Sequence, residues 1–262
     1  MCPYDLTDRV AIVTGGSSGI GRGIAEGLAR DGATIVVADI RENPRTGEHA
    51  VDARPATTAN LVAEDHGVES LFVHTDTGDA DAVASLVETT VERFGRLDIL
   101  VNNAGIIIPG TSQDVSVGEY THAIDVNLNG YFFAAKFAIP HLRRSDQGRV
   151  INISSVNARY GGGGAAYAAS KAGIVNMTRD LALEVADAGV TVNAILPGAI
   201  NTALQDVGGE DAIARRRERT PLGRLGDPKD VAHAVRFLVS NEAAWITGAD
   251  LLVDGGYLAG RP

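Results

Sequence analysis

Tyr167 and Lys171 stand four residues apart, the spacing that sets two side chains on one face of a helix, one turn from each other. A tyrosine phenol ordinarily titrates near about 10 and is a poor base at neutral pH. A cation held a few ångströms away favours the phenolate, lowers that pKa and lets the phenol exchange protons near neutrality. As an isolated pattern, Tyr-x-x-x-Lys is also what an ordinary surface pair looks like. The surroundings argue against that. The chain has three lysines, Lys136, Lys171 and Lys229, and Lys171 lies among small and apolar residues. Upstream, a strand-like run ends in serines, Val150-Ile151-Asn152-Ile153-Ser154-Ser155, and a glycine-rich loop lies near the N-terminus. Phenol, ammonium, serine hydroxyl and phosphate cradle together are the equipment of a hydride-transfer enzyme.

These groups need elements to hold them. Residues 8–14 read as a buried parallel strand that runs into Gly15-Gly16-Ser17-Ser18-Gly19-Ile20-Gly21 and then a helical pattern carrying Ile24, Ala25, Leu28 and Ala29. Strand, glycine loop and helix in that order are the context a dinucleotide site demands. Without Cβ atoms the backbone can approach a pyrophosphate, which rests on the helix N-terminus. A purely structural glycine turn is the competing reading. A second strand, 34–39, ends on Asp39, 18 residues beyond Gly21. An acid there hydrogen-bonds the adenosine ribose hydroxyls and repels a 2′-phosphate, which predicts NAD over NADP. Arg41 lies close enough to hold a 2′-phosphate instead, and Asp39 could simply end a strand.

Residues 42–58 are polar and turn-rich and read as an extended loop before a short helix at 58–66. A strand at 70–75 delivers Asp76 and Thr77, where Asp76 can accept from the adenine amino group, and Asp79 reads as the N-cap of a helix over 80–94. A fourth strand, 97–101, ends in Asn102-Asn103-Ala104-Gly105, small enough for a cofactor ribose to lie against, with Asn side chains to tie neighbouring strands. A long helix follows, with Asn127 buried among Ile124, Val126, Leu128 and Phe132; it needs partners, either as a structural core residue or in a proton path to Lys171. The glycines at 161–164 flank the presumed substrate. A strand at 190–196 leads to Pro197-Gly198, Ile200 and Thr202. Arg215-Arg216-Arg217 suit a solvated helix face better than a phosphate site. A helix at 228–239 and a strand at 250–254 close the chain.

Composition bounds the rest. The 262 residues suit one domain, 1–262 with a core from about 6 to 258, and 45% apolar residues suffice for a core without staples. The single cysteine, Cys2, leaves no disulfide framework and no metal-ligand cluster, so no metal is expected. No signal peptide or membrane-length run is visible, which suggests a soluble cytoplasmic protein. A net charge of −10 argues against nucleic acid or an anionic membrane as partner. By count 21 of 33 acids are Asp and 20 of 23 bases are Arg, a bias that fits either a salt-adapted host or a GC-rich genome.

From about residue 6 to 258 the chain resembles the short-chain dehydrogenase/reductase family. The resemblance rests on Thr14-Gly15-x-x-x-Gly19-x-Gly21, Asp76, Asn102-Asn103-Ala104-Gly105, Asn127, the serine ahead of the glycine loop, Tyr167-x-x-x-Lys171 and Pro197-Gly198. It implies a single-domain α/β Rossmann-type doubly wound parallel seven-stranded sheet with helices on both faces. It also implies a homotetramer, with the C-terminal strand and the fourth and fifth helices at interfaces. Carried onto this chain, it makes Tyr167 the general acid/base and has Lys171 bind the nicotinamide ribose while lowering the tyrosine pKa. A serine orients the substrate oxygen, Asn127 holds a relay water, and Ile200 and Thr202 meet the nicotinamide carboxamide. Two departures stand out. The family's serine usually lies 13 residues before the tyrosine, which is Ser154, whereas the strand-end alignment selects Ser155, 12 before. A deletion in a glycine loop is easier than a register shift in a buried strand, so Ser155 is the expected residue and Ser154 the alternative. The span from Asp39 to Asp76 is also about a dozen residues longer than usual, and some members with such insertions hold nicotinamide tightly.

The expected activity is hydride transfer between NAD(H) and a secondary alcohol or sugar hydroxyl, or the matching ketone. An NADPH-dependent 3-oxoacyl-[acyl-carrier-protein] reductase is the competing enzyme, disfavoured by Asp39. A non-enzymatic nucleotide-binding protein would be marked by loss of Tyr167 or Lys171, and both are present.

Overall fold

The computed structural model describes residues 4–45, 47, 54–204 and 209–259; Cys2 and much of the 42–58 loop lie outside these. The strands are β1 Val10–Thr14, β2 Thr34–Asp39, β3 Ser70–His74, β4 Ile99–Asn102, β5 Arg149–Ile153, β6 Thr191–Pro197 and β7 Asp250–Val253. The helices are α1 Gly19–Arg30, α2 Thr58–His66, α3 Ala80–Phe94, α4 Val117–Ile124, α5 Gly130–Leu142, α6 Ala165–Val185, α7 Gly209–Glu218 and α8 Pro228–Val239.

The strands form one seven-stranded sheet in the order β3-β2-β1-β4-β5-β6-β7, and every adjacent pair runs parallel. Parallel strands require crossover helices, which cover both faces, so the inner strands are mostly apolar and bury their few polar residues. β1, β4, β5 and β6 are buried at every position. One face packs Ile24, Leu28, Leu61, Val231 and Val235 from α1, α2 and α8. The other packs Val83, Leu86, Ala135, Leu142, Leu181 and Val185 from α3, α5 and α6. The chain winds outward from β1 through β2 to β3, then returns to place β4 on the other side of β1. That reversal opens a crevice at the carboxyl ends of β1 and β4, where open α/β sheets bind ligands.

Polar ties fix the sheet around the crevice. The Asn102 amide donates to Asn152 Oδ1 at 3.0 Å, and Asn152 donates to Thr178 Oγ1 at 2.9 Å, linking β4, β5 and α6 through the core. Asn103 Nδ2 donates to the carbonyls of Thr14 and Gly15, binding the end of β4 to the glycine loop. Asp79 caps α3 as expected, accepting from the amides of Asp81 and Ala82.

The long helix expected around Asn127 is interrupted. Between α4 and α5 the chain makes a wide π-type turn over Asp125–Asn129 without leaving helical backbone geometry. Periodicity could not show this, because a single widened turn leaves the apolar pattern on either side intact. Arg215 and Arg217 on α7 are exposed, in keeping with a solvated helix face.

Candidate active site

The glycine loop is built by mutual exclusion of side chains. A Cβ on Gly21 would sit 2.2 Å from the Gly15 carbonyl oxygen and 2.6 Å from Asn103 Nδ2, so only glycine lets α1 start this close to the end of β1. Gly15 and Gly19 hold positive φ, 62° and 54°, where a side chain is strained. α1 then begins without a side-chain cap and without an acid in its first turn. Its unpaired amides and positive dipole end therefore face the crevice uncompensated, a donor set that suits a diphosphate. The residues present fit a nicotinamide dinucleotide on these grounds.

One cleft runs from this loop to the Tyr167 phenol. Gly15, Ser18, Gly19, Ile20, Asp39, Asp76 and Thr77 wall one end, and Asn103, Ala104 and Gly105 its middle. Ser154, Ser155, Tyr167 and Lys171 wall the part around the phenol, and Pro197, Gly198, Ile200 and Thr202 also line the cleft, Thr202 lying beside Gly19. Three expected residues stand behind the wall. Ser17 is fully buried and its amide donates to Asp39 Oδ2 at 3.2 Å; Gly21 packs on Gly15; and Asn127 is wholly enclosed. Asp39 also accepts from the Arg41 amide, and Asp76 accepts from the Gly78 amide. Sequence reading did not single out Ile106, His122, Arg45 or Ile40 as cleft walls. Ile106 follows directly on the Asn-Asn-Ala-Gly run, the one signal that could have found it.

The inserted segment after β2 is anchored from two sides where it is described. The Arg45 amide donates to Ser18 Oγ at 3.1 Å, and the buried Arg22 of α1 donates to the carbonyls of Arg54 and Ala56.

The two serines separate cleanly. β5 ends at Ile153, so the strict alternation of a strand does not extend through them, and both turn towards α6 rather than to opposite faces of the sheet. Ser154 Oγ donates to the Lys171 backbone carbonyl at 2.7 Å, a structural bond. Ser155 shares the cleft wall with Tyr167, lies close enough to the phenol to lower its pKa, and donates from Oγ to Asn157 Oδ1 at 3.1 Å. The geometry thus brings Ser155, not Ser154, to the phenol.

The Lys171 ammonium was expected to lower the Tyr167 pKa; burial holds that phenol above its ordinary value, and the nearby Ser155 hydroxyl partly offsets this. Lys171 does not reach the phenol oxygen. Its Nζ donates to the Ile153 carbonyl at 2.9 Å and to the Tyr131 hydroxyl at 3.3 Å, and lies 5.6 Å from the centre of the Tyr167 ring. Burial also lowers Lys171 itself, to about 7. Asn127 is fixed rather than free: its Oδ1 accepts from the Ile106 amide at 2.8 Å and its Nδ2 donates to the Ile106 carbonyl at 2.9 Å.

The sheet order, the glycine loop and the residues along the cleft define a nucleotide-dependent oxidoreductase, and the comparisons agree. A family model described as Enoyl-(Acyl carrier protein) reductase matches residues 15–258, and the chain belongs to the short-chain dehydrogenase/reductase family. It is 38% identical over 97% of its length to the 2,5-dichloro-2,5-cyclohexadiene-1,4-diol dehydrogenase LinX of Sphingobium indicum, covering 98% of that protein. It is 39% identical to a 3-oxoacyl-[acyl-carrier-protein] reductase of Synechocystis, covering 96% of this chain and 97% of that one. Among solved structures, a dehydrogenase/reductase from Sinorhizobium meliloti superposes with a TM-score of 0.88 at 33% identity, covering 98% of both chains. The protein is an oxidoreductase acting on CH–OH groups or the matching carbonyls. Among the described residues no helix is long and apolar enough to cross a membrane.

Proposed function

We propose that this protein oxidises a cyclic secondary alcohol with NAD, Tyr167 serving as the proton acceptor, and catalyses the reverse reduction when the ratio of products to reactants favours it. The observation that carries this reading is that Tyr167 and Ser155 share one cleft with Asp39 and the uncapped start of α1. Bound NAD supplies the acceptor for the hydride that leaves the carbinol carbon. Tyr167 Oη takes the hydroxyl proton as the C–H bond breaks, and the Ser155 hydroxyl holds the substrate oxygen beside it. Lys171, just behind, faces the space a ribose would fill, and Asn127 keeps the Ile106 backbone in place beside it. The diol that the LinX relative is named for supports the cyclic class. We further infer that the chain acts as one catalytic and cofactor-binding domain, in the cytoplasm, as a homotetramer; its single sheet and the family support this. A panel of cyclic diols, polyols, sugars and steroids, each incubated with NAD and followed by NADH absorbance, tests the substrate class. Failure of every cyclic alcohol in the presence of a reactive acyclic substrate would overturn it.

A 3-oxoacyl-[acyl-carrier-protein] reductase is the second reading, favoured by the Synechocystis relative. Cofactor choice separates the two. Asp39 lines the cleft and would face a 2′-phosphate, where unscreened repulsion costs about 1 kcal/mol or more. NADH is therefore expected to bind at least about fivefold more tightly than NADPH in a fluorescence titration. Equal dissociation constants would shift the weight to the arginines of the following loop, Arg41 and Arg45, and to the reductase.

A further inference from the structure

Behind the cleft lies a phenol that the reaction as described does not use. Tyr131, on the first turn of α5, is 1% exposed, and its hydroxyl donates to the Ile153 carbonyl at 2.9 Å. That bond alone satisfies the hydroxyl's need for an acceptor, so its lone pairs are surplus to folding. They are directed at Lys171: Nζ donates to Tyr131 Oη at 3.3 Å and lies 5.1 Å from the centre of its ring. The same Nζ donates to the Ile153 carbonyl, closing a triangle of lysine, tyrosine and the last carbonyl of β5. We propose that Tyr131 is a positioning residue, whose hydroxyl and ring hold the Lys171 ammonium in place behind Tyr167.

The argument turns on what compensates a buried cation. Lys171 is 3% exposed, and no carboxylate pairs with it among the described residues. The groups that face it are Tyr131 from α5, Tyr167 from its own helix and the Ile153 carbonyl from β5. Asn127 Oδ1 joins them, since it and Lys171 Nζ both flank Gly105. An ammonium without a counter-ion survives burial only through hydrogen bonds to its charged form and the negative faces of rings. Two tyrosine rings and two oxygens supply these here. Because Tyr131 spends its own proton on Ile153, it meets the lysine purely as an acceptor and does not compete for its protons. Burial holds the Tyr131 phenol well above its ordinary pKa, so the hydroxyl keeps that proton across the working range.

This inference rests on the reading of Lys171 as part of the catalytic site, and its test is read first without substrate or cofactor. With three lysines in the chain, isotope-labelled lysine gives a resolvable NMR titration of Lys171. Tyr131→Phe keeps the ring and removes the acceptor. The Lys171 midpoint should fall by roughly half to one pH unit, the value of one lost hydrogen bond to the charged form. In the assembled enzyme the alkaline limb of the turnover profile should move down by the same interval, because the ammonium is lost as pH rises through its pKa. KM for the alcohol should stay within twofold. A folded variant with an unmoved Lys171 midpoint overturns the inference, as does a lowered midpoint with an unmoved alkaline limb. If Tyr131→Phe does not fold, biosynthetic 3-fluorotyrosine in a Tyr167→Phe background weakens the same acceptor at nearly constant shape, and the midpoint must fall there too. Failure of the site reading would show elsewhere, as full turnover in Tyr167→Phe, and would leave the midpoint shift intact.

Discussion

Tyr167→Phe is expected to give a folded, cofactor-binding protein whose turnover has dropped by about two to four orders of magnitude, the usual range for a lost general acid or base. The ring remains to pack against the glycines ahead of α6, so structure should be spared; only the oxygen that exchanges the proton is gone. The direction of the pH response follows from the environment of that oxygen. Burial raises the Tyr167 pKa, so the protein without ligand holds a neutral phenol at neutral pH. Oxidation needs the phenolate and should accelerate as pH rises; reduction needs the phenol and should slow. Steady-state rates in both directions across a pH series, with wild type and variant side by side, provide the check. A variant within threefold of wild type would remove Tyr167 from the chemistry.

Ser155→Ala is expected to reduce turnover by ten- to a thousandfold, about 1.4–4 kcal/mol of transition-state stabilisation. The hydroxyl is tied to Asn157, donating to its Oδ1 and accepting from its backbone amide, both at 3.1 Å, so it is held in place before any substrate arrives. Its removal takes a hydrogen-bonding group from the substrate oxygen beside Tyr167. Ser154→Ala should instead act on stability, by about 1 kcal/mol, because its hydroxyl is buried and spent on the Lys171 carbonyl. Thermal denaturation paired with turnover for the two variants distinguishes the roles. If Ser154→Ala lost the activity and Ser155→Ala the stability, the assignment would be reversed.

The legible parts of this protein were those where one residue type solves one local problem. Gly15 and Gly21 announced the loop because a side chain would strike Asn103 there, and Gly19 because it holds a positive φ. The apolar strands announced a parallel sheet because both of their faces are covered. The two serines could be told apart only by their neighbours: Ser154 is spent on the Lys171 carbonyl, while Ser155 is tied to Asn157 beside the phenol, and neither partner is visible in the local sequence. The partners of Lys171 were not legible because spacing along a helix places Cα atoms, not Nζ. A lysine long enough to reach the phenol is equally long enough to turn to a strand-end carbonyl. Tyr131 was invisible for a related reason, since its role depends on two partners, on β5 and α6, that no local pattern connects to it.

The wide turn at Asp125–Asn129 sets the phase of everything that follows it. Each helical residue advances the chain by about 100°, so a turn holding one residue more than an α-turn resets the angle at which α5 leaves. Asn127, inside the turn, is aimed at Ile106 after β4, while Tyr131, just beyond, is aimed at Ile153 at the end of β5. A regular helix through this segment could not serve both targets from positions four apart. Deleting one residue there would keep the helix content nearly constant and leave its circular dichroism almost unaltered. It would also swing Tyr131 about a quarter of a turn away from Lys171, so the register of one ordinary-looking helix carries information that its length and composition do not.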